Sequence, residues 1–427
     1  KTQLIMNRIQ VLLIVGVLCL FQQFTIGQTI QNVHFLKTVG VLDSLYSETL
    51  KESRKIYIQL PSSYSPEKKQ KYPVVYILDG EIFLPTVNNV LDYYSGGYMP
   101  EMVLVGISNN NNRTRDLTTS VIKSKYGAPF NEKNGEAEKF SQFIEKELIP
   151  YIEEKYNVSN FRTLIGHSYG GLFAIYTLIN HPALFANYLA IDPSLDWDEQ
   201  KLLNQAKEVL SIKNYQNKSL HISLSGQLHW QDSKITLDNV MRDTSDFTLF
   251  TRSNIEFSNI VKRNSENGLL FDWEFYPKEL HGTVPFPSIL NGLKAIFAWY
   301  TMENTDKINS FDTSKEELLN IIKHREKKLK DHFGYLEAPY PEELFNMSAY
   351  MKLDMQQYEK AKMYFELAIE YYPESAKAYG SMADYYEKIG DNNNATKLVT
   401  KAFEISGDDY YKERAEALIK KTKADKK

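Results

Sequence analysis

The stretch Thr163-Leu164-Ile165-Gly166-His167-Ser168-Tyr169-Gly170-Gly171 decides how this chain is read. An apolar run suited to a buried strand ends at Gly166, and the strongly apolar segment from Gly171 to Asn180 has the make-up of a helix. Strand, tight turn and helix around Gly-x-Ser-x-Gly form the setting of a nucleophile elbow. The turn holds the serine in a strained backbone conformation, and a side chain two residues to either side would meet the neighbouring strand or helix. The bland alternative is a glycine-rich helix start that merely packs closely.

Working outward, β-rich apolar runs alternate with amphipathic stretches from residue 33 to about 300. Residues 54–60 alternate polar and apolar, as a half-exposed strand does. Val74 to Leu78 and Val103 to Ile107 are continuously apolar, the pattern of strands covered on both faces. Leu189 to Ile191, His221 to Leu224 and Trp273 to Tyr276 complete the predicted strands, and Glu136 to Tyr156 carries apolar residues at helical spacing. Strand alternating with helix predicts an α/β fold with a mostly parallel sheet covered by helices on both faces. A ligand site then belongs at the C-terminal ends of the strands.

The pattern changes after Trp299-Tyr300. Residues 303–340 read as a linker followed by a charged helix from Lys315 to Lys330, and residues 341–424 read as wholly helical. Ala349, Ala361, Phe365, Ala368 and Pro373 recur 34 residues later as Ala383, Ala395, Val399, Ala402 and Gly407. Small residues where paired helices touch, with bulky ones between, resemble the tetratricopeptide repeat, a small all-α unit. Residues from Tyr410 to Lys421 are expected to cap that stack. At the other end, residues 1–27 read as a signal peptide: Arg8 supplies a basic start, Val11 to Phe21 an apolar core, and Thr25-Ile26-Gly27 a small-residue cleavage site. That leaves 28–302 for the α/β domain and implies an exported protein, periplasmic or secreted, with no stable membrane span.

Composition narrows the classes. The 427 residues hold 50 Lys and Arg against 54 Asp and Glu, a net charge of −4, which argues against a nucleic-acid partner. The one cysteine, Cys19, lies in the apolar N-terminal run, so neither disulfides nor a cysteine-built metal site is expected. No metal or organic cofactor is implied.

A serine nucleophile needs a base. His34 precedes the sheet, His324 and His332 belong to the helical part, His181 stops a helix, His221 lies within a strand, and His167 adjoins the serine. His229 and His281 remain, and His281, on the loop after the last strand, occupies the base's place in the order Ser…acid…His. The acid should lie between Ser168 and His281. Asp232, Asp238, Asp243 and Asp246 follow the His221–Leu224 strand, and Asp192 ends the preceding one. Asp243 is the first choice, although Asp-Thr-Ser before a helical run also reads as a helix cap. Asp232, Asp192 or a Ser–His dyad without an acid are the alternatives. For the oxyanion, one donor is the amide of Tyr169 and the other comes from Glu81 or Ile82, after Gly80. Arg115-Asp116 falls at the same sheet edge, as a brace for the pocket, a contact for a polar substrate or a solvated loop ion pair.

Together, Tyr76 to Glu81, Val105 to Ile107 with Arg113-Thr114-Arg115-Asp116, the Gly166–Gly171 elbow, Ile191 to Leu195 and His281-Gly282 resemble the putative-esterase branch of the α/β-hydrolases. That branch includes enterochelin esterases, S-formylglutathione hydrolases, feruloyl and acetyl-xylan esterases, and mycolyltransferases. The resemblance implies a serine esterase acting on a small-molecule or glycan ester. An acyltransferase using the same acyl-enzyme is the near alternative. A catalytically silent fold that binds through its repeats is the alternative of another class. The repeats would serve a protein partner or self-association.

Overall fold

The computed structural model describes residues 39–67 and 70–424, so the expected signal segment lies outside the described residues. Eight strands form one sheet: β1 (Val41–Ser47), β2 (Glu52–Gln59), β3 (Tyr72–Leu78), β4 (Val103–Ile107), β5 (Val158–His167), β6 (Asn187–Ile191), β7 (Lys218–Ser225) and β8 (Leu269–Tyr276). Their spatial order is β1-β2-β4-β3-β5-β6-β7-β8. The β1–β2 and β2–β4 pairs are antiparallel and all others parallel. The expected α/β architecture is therefore present. The chain turns one way from β3 to β4 and the other way from β3 to β5, which makes the end of β3 a topological switch point.

The central strands form as their sequences dictate. Residues 72–78 and 103–107 are buried at every position, as expected where helices cover both faces. The helices are α1 (Gly80–Tyr94), the short α2 (Arg113–Leu117), α3 (Ala137–Phe143), α4 (Ile149–Lys155), α5 (Tyr169–Asn180), α6 (Trp197–Ile212), α7 (Leu249–Arg263) and α8 (Pro285–Ile296). A π turn at Ile144–Leu148 joins α3 to α4. Strand β1 escaped the sequence reading because its mixed residues form an edge with most side chains exposed.

A short helix, α9 (Thr305–Asn309), leads to α10 (Lys315–Phe333), α11 (Glu342–Asp354), α12 (Tyr358–Tyr371), α13 (Ala376–Lys388), α14 (Asn392–Ser406) and α15 (Asp409–Ala424). Ala361, Phe365 and Ala368 are fully buried between helices, as are Ala383, Ala395, Val399 and Ala402 one repeat later. Ala415 and Leu418 of α15 close the second cluster, the capping role expected of that helix.

The described residues from 40 onward form one compact unit. The helical part meets the sheet at the N-terminal ends of the strands. Phe333, at the end of α10, lies edge-on to Phe161 of β5 at 5.0 Å, and His332 stacks on Trp299 at 3.9 Å. Buried Arg325 donates to the carbonyl oxygens of Tyr300 and Pro339. From Phe161 to Ser168 the strand runs about 23 Å, so the helix that precedes the repeats docks at the opposite edge from the elbow.

Candidate active site

Three residues that directly follow parallel strands have positive φ: Asp79 after β3 (51°), Ser168 after β5 (58°) and Asp192 after β6 (43°). For residues with a Cβ this conformation costs energy, and such strain gathers where a geometry must be held. Gly166 makes the elbow sterically feasible, because a Cβ there would come within 2.2 Å of the Gly170 carbonyl oxygen. Likewise a Cβ on Gly80 would strike Gly106 at 2.4 Å, so the switch-point loop can lie directly on β4.

Ser168 is fixed from both sides. Its amide donates to the Ile191 carbonyl at 2.9 Å, its own carbonyl accepts from the Ser194 amide, and its hydroxyl lies 3.2 Å from the Ser194 hydroxyl. His281 reaches this edge from the loop after β8. Its Nδ1 donates to Asp192 Oδ2 at 2.7 Å, and the Ser225 amide donates to Asp192 Oδ1 at 3.0 Å. Asp192 is fully buried. With Nδ1 carrying the proton, the neutral imidazole of His281 keeps its lone pair on Nε2.

The structure thus corrects the choice of acid: His281 pairs with Asp192 and not with Asp243. Asp243 Oδ1 accepts from the amide and hydroxyl of Ser245 and the hydroxyl of Thr248. These bonds hold its carboxyl below the usual range. It ties the turn that leads into the next helix, although the residue before the helical turn Asp246–Thr248 is Ser245 and not the Asp243 that the Asp-Thr-Ser sequence suggested as a cap. Asp232 is exposed and accepts from the Lys234 amide. His229 is engaged similarly, its Nδ1 accepting from the amides of Gln231 and Asp232.

His167 does not idle. Its Nε2 donates to the His281 carbonyl at 2.9 Å, its ring lies 4.6 Å from that of His281, and burial with the neighbouring His281 pushes its pKa down to about 4. It is a neutral brace that holds the His281 loop against the elbow.

The proposed oxyanion donors also need one correction. Tyr169 and Glu81 lie in the first turns of α5 and α1, where backbone N–H groups lack intrahelical acceptors. The Ile82 amide, however, donates to the Asp79 carbonyl at 2.9 Å, which leaves Glu81 as the candidate of that pair. Asp79 is held in turn by Arg113, whose Nε and guanidinium NH2 donate at 2.9 and 3.0 Å while the NH2 also donates to the His167 carbonyl. One guanidinium therefore ties the switch-point loop to the elbow. The sequence reading singled out the next pair along, Arg115-Asp116. That pair lies in a largely buried network with Arg54 and Glu52 and is not a solvated loop pair. Among the described residues no group of His, Cys, Asp or Glu is arranged to hold a metal ion, and no helix is long and apolar enough to cross a membrane.

Known proteins match this geometry. The family model described as putative esterase covers residues 47–252, and a tetratricopeptide repeat model covers 342–375 and 376–409. The ferri-bacillibactin esterase BesA of Bacillus subtilis is 31% identical over 207 residues, 44% of this chain and 71% of that protein. The apo-salmochelin esterase of Escherichia coli is 28% identical over 165 residues, 36% of this chain and 51% of its own length. Among solved structures, an IroE-like serine hydrolase from Shewanella oneidensis superposes with a TM-score of 0.63 at 27% identity, covering 78% of this chain and 99% of that one. The matches agree with the carboxylic ester hydrolase class expected from the elbow. The chain belongs to the putative esterase family, with tetratricopeptide repeats behind its hydrolase sheet.

Proposed function

We propose that this esterase cleaves the ester bonds of siderophore-type molecules outside the cytoplasm, through an acyl-enzyme on Ser168. His281 Nε2 takes the serine proton as Oγ attacks the carbonyl, and Asp192 holds the ring and stabilises the imidazolium. The amides of Tyr169 and Glu81 receive the developing oxyanion. His281 then gives the proton to the leaving alcohol and activates water for deacylation. The observation that supports this reading most is the 2.7 Å His281–Asp192 hydrogen bond beside a strained Ser168. Support for the substrate class comes from relatives named for siderophore esters. Export rests on the basic and apolar pattern of residues 1–27.

The test is a panel of siderophore, acetyl, feruloyl and thioester substrates with wild type and Ser168→Ala, alongside labelling by a fluorophosphonate probe. Ser168→Ala should lose labelling and at least about 10³-fold in kcat/KM. Retained hydrolysis in that variant would overturn the nucleophile assignment, and a preference for simple acetyl esters would overturn the substrate class.

A further inference from the structure

One corner of the site is built at evident cost and has no task in the mechanism above. The two-residue strands Ser124–Lys125 and Ala128–Pro129 pair as a tight hairpin whose turn is Tyr126-Gly127, with φ of 51° and 76°. Positive φ at both turn positions suits Asn-Gly far better than Tyr-Gly. What the tyrosine gains is a bond: its hydroxyl donates to Asp196, whose side chain is wholly buried. Burial beside that carboxylate pushes the Tyr126 pKa up, so the phenol stays a donor. Asp196 and Trp197 are set by a second costly device, because Asp198, Glu199 and Gln200 all adopt left-handed conformations in succession.

These constraints converge on Lys125. Its ammonium lies 5.2, 5.3 and 5.4 Å from the ring centres of Tyr126, Tyr169 and Trp197, within the range of cation–π attraction. Tyr169 directly follows the nucleophile. Arg113, the other cation against the Tyr169 ring, turns its Nε and one NH2 to Asp79 and the His167 carbonyl. Lys125 has an ion pair with Asp196 at 3.4 Å, longer than a normal hydrogen bond, and its side chain is 23% exposed. An ammonium carries three donors. Lys125 thus has donors to offer beside the serine, on a stem held by rings.

Lys125 shares no bond or ring contact with the base: its own run to Tyr126, Tyr169, Asp196 and Trp197, whereas those of His281 run to Asp192, His167, Phe250 and Gln227. The leaving alcohol must reach His281, so the group that stays on the serine extends away from it. We infer that Lys125 is a specificity residue that binds an acidic oxygen on the acyl part of the ester, the Tyr126–Asp196 hydrogen bond holding its hairpin in place. This rests on the acyl-enzyme reading and adds which acyl groups the site prefers.

The test uses two esters of one leaving group and nearly one shape, p-nitrophenyl butyrate and the mono-p-nitrophenyl ester of succinate, neutral and anionic at pH 7.5. In Lys125→Gln the ratio of kcat/KM for succinyl over butyryl ester should fall about fivefold, mostly through KM, as loss of one partly exposed ion pair implies. Lys125→Arg should keep the ratio within about twofold, and raising the salt should lower it in wild type but not in Lys125→Gln. Equal loss on both esters would show that Lys125 only props the hairpin, and an unchanged ratio would show that it does not meet the acyl group. Either overturns the inference. Ser168→Ala, assayed on the same pair, tests the acyl-enzyme separately: loss of both esters supports it, and retained hydrolysis of both would overturn it whatever the ratio in Lys125→Gln.

Discussion

Strand β5 serves two unlike sites, one at each end. At its C-terminal end stand Ser168 and the strained, hydrogen-bonded residues Asp79 and Asp192. At its N-terminal end Phe161 packs among Phe297, Trp299 and Phe333, the last from the helix that leads into the repeats. One end is specified by single atoms, so small chemical changes should remove function while leaving the fold. The other is specified by apolar volume, so a truncation should remove stability while leaving the chemistry. Burial near 25 cal/mol per Å² is undirected, whereas an imidazole is useful only in one tautomer and one orientation.

The sharpest way to break this contrast is at Asp192. Asp192→Asn keeps the shape but offers an N–H where the His281 Nδ1–H must be accepted, which favours the wrong tautomer. Its kcat/KM should fall about 10³-fold, with little change in melting temperature. Asp243→Asn, in the turn with Ser245 and Thr248, should stay within about twofold on the same assay. Equal losses would mean that the Asp192–His281 bond has no part in turnover. At the other end, Phe333→Ala empties a site that is 4% exposed and should cost about 3–5 kcal/mol. Denaturant unfolding measures that cost, and kcat/KM per folded molecule should hold within about twofold. A tenfold loss of kcat/KM would show that the two ends are coupled along the strand.

How much of this the sequence discloses follows from the same difference. The elbow was legible because a strand, two glycine positions and a helix are local features, and the repeats because 34-residue spacing is written along the chain. That His281 would stand at the elbow's edge of the sheet could be reached by chain order and elimination. The acid could not, since Asp192 and Asp243 both lie between Ser168 and His281 and both fall near strand ends. What separates them is that β6 is the neighbour of β5, a fact of sheet order and not of spacing. Ile82 failed for a finer reason: which amide a helix's first turn consumes depends on the left-handed Asp79 before it. Arg113, Ser194 and Lys125 were invisible as a set because their partners lie on other loops. The arginine two residues from the pair that was chosen is the one that ties the loops together.

The smallest expected effect distinguishes the two ends by the sign of their pH dependence. In the connection between α10 and α11, burial pushes Glu337 up to about 7, and its charge acts on Tyr72 of the sheet, on Tyr300 and Tyr335 at the seam, and on Tyr372 of the repeats. A folded-state value above the ordinary 4.5 means that the native protein holds this proton more tightly than the unfolded chain. Its contribution is therefore full below about pH 4.5 and is lost as the pH rises through 7. His167, pushed down to about 4 near the elbow, has the opposite sign: its contribution is full above about 6.5 and is lost as the pH falls toward 4. Glu337→Gln keeps a neutral group in place, so it should match wild type at pH 4.5 and exceed it by about 1–3 kcal/mol at pH 8. Melting curves at the two pH values measure this. A variant that gains at pH 4.5 as much as at pH 8 would show that Glu337 strains the seam by its packing and not by its charge.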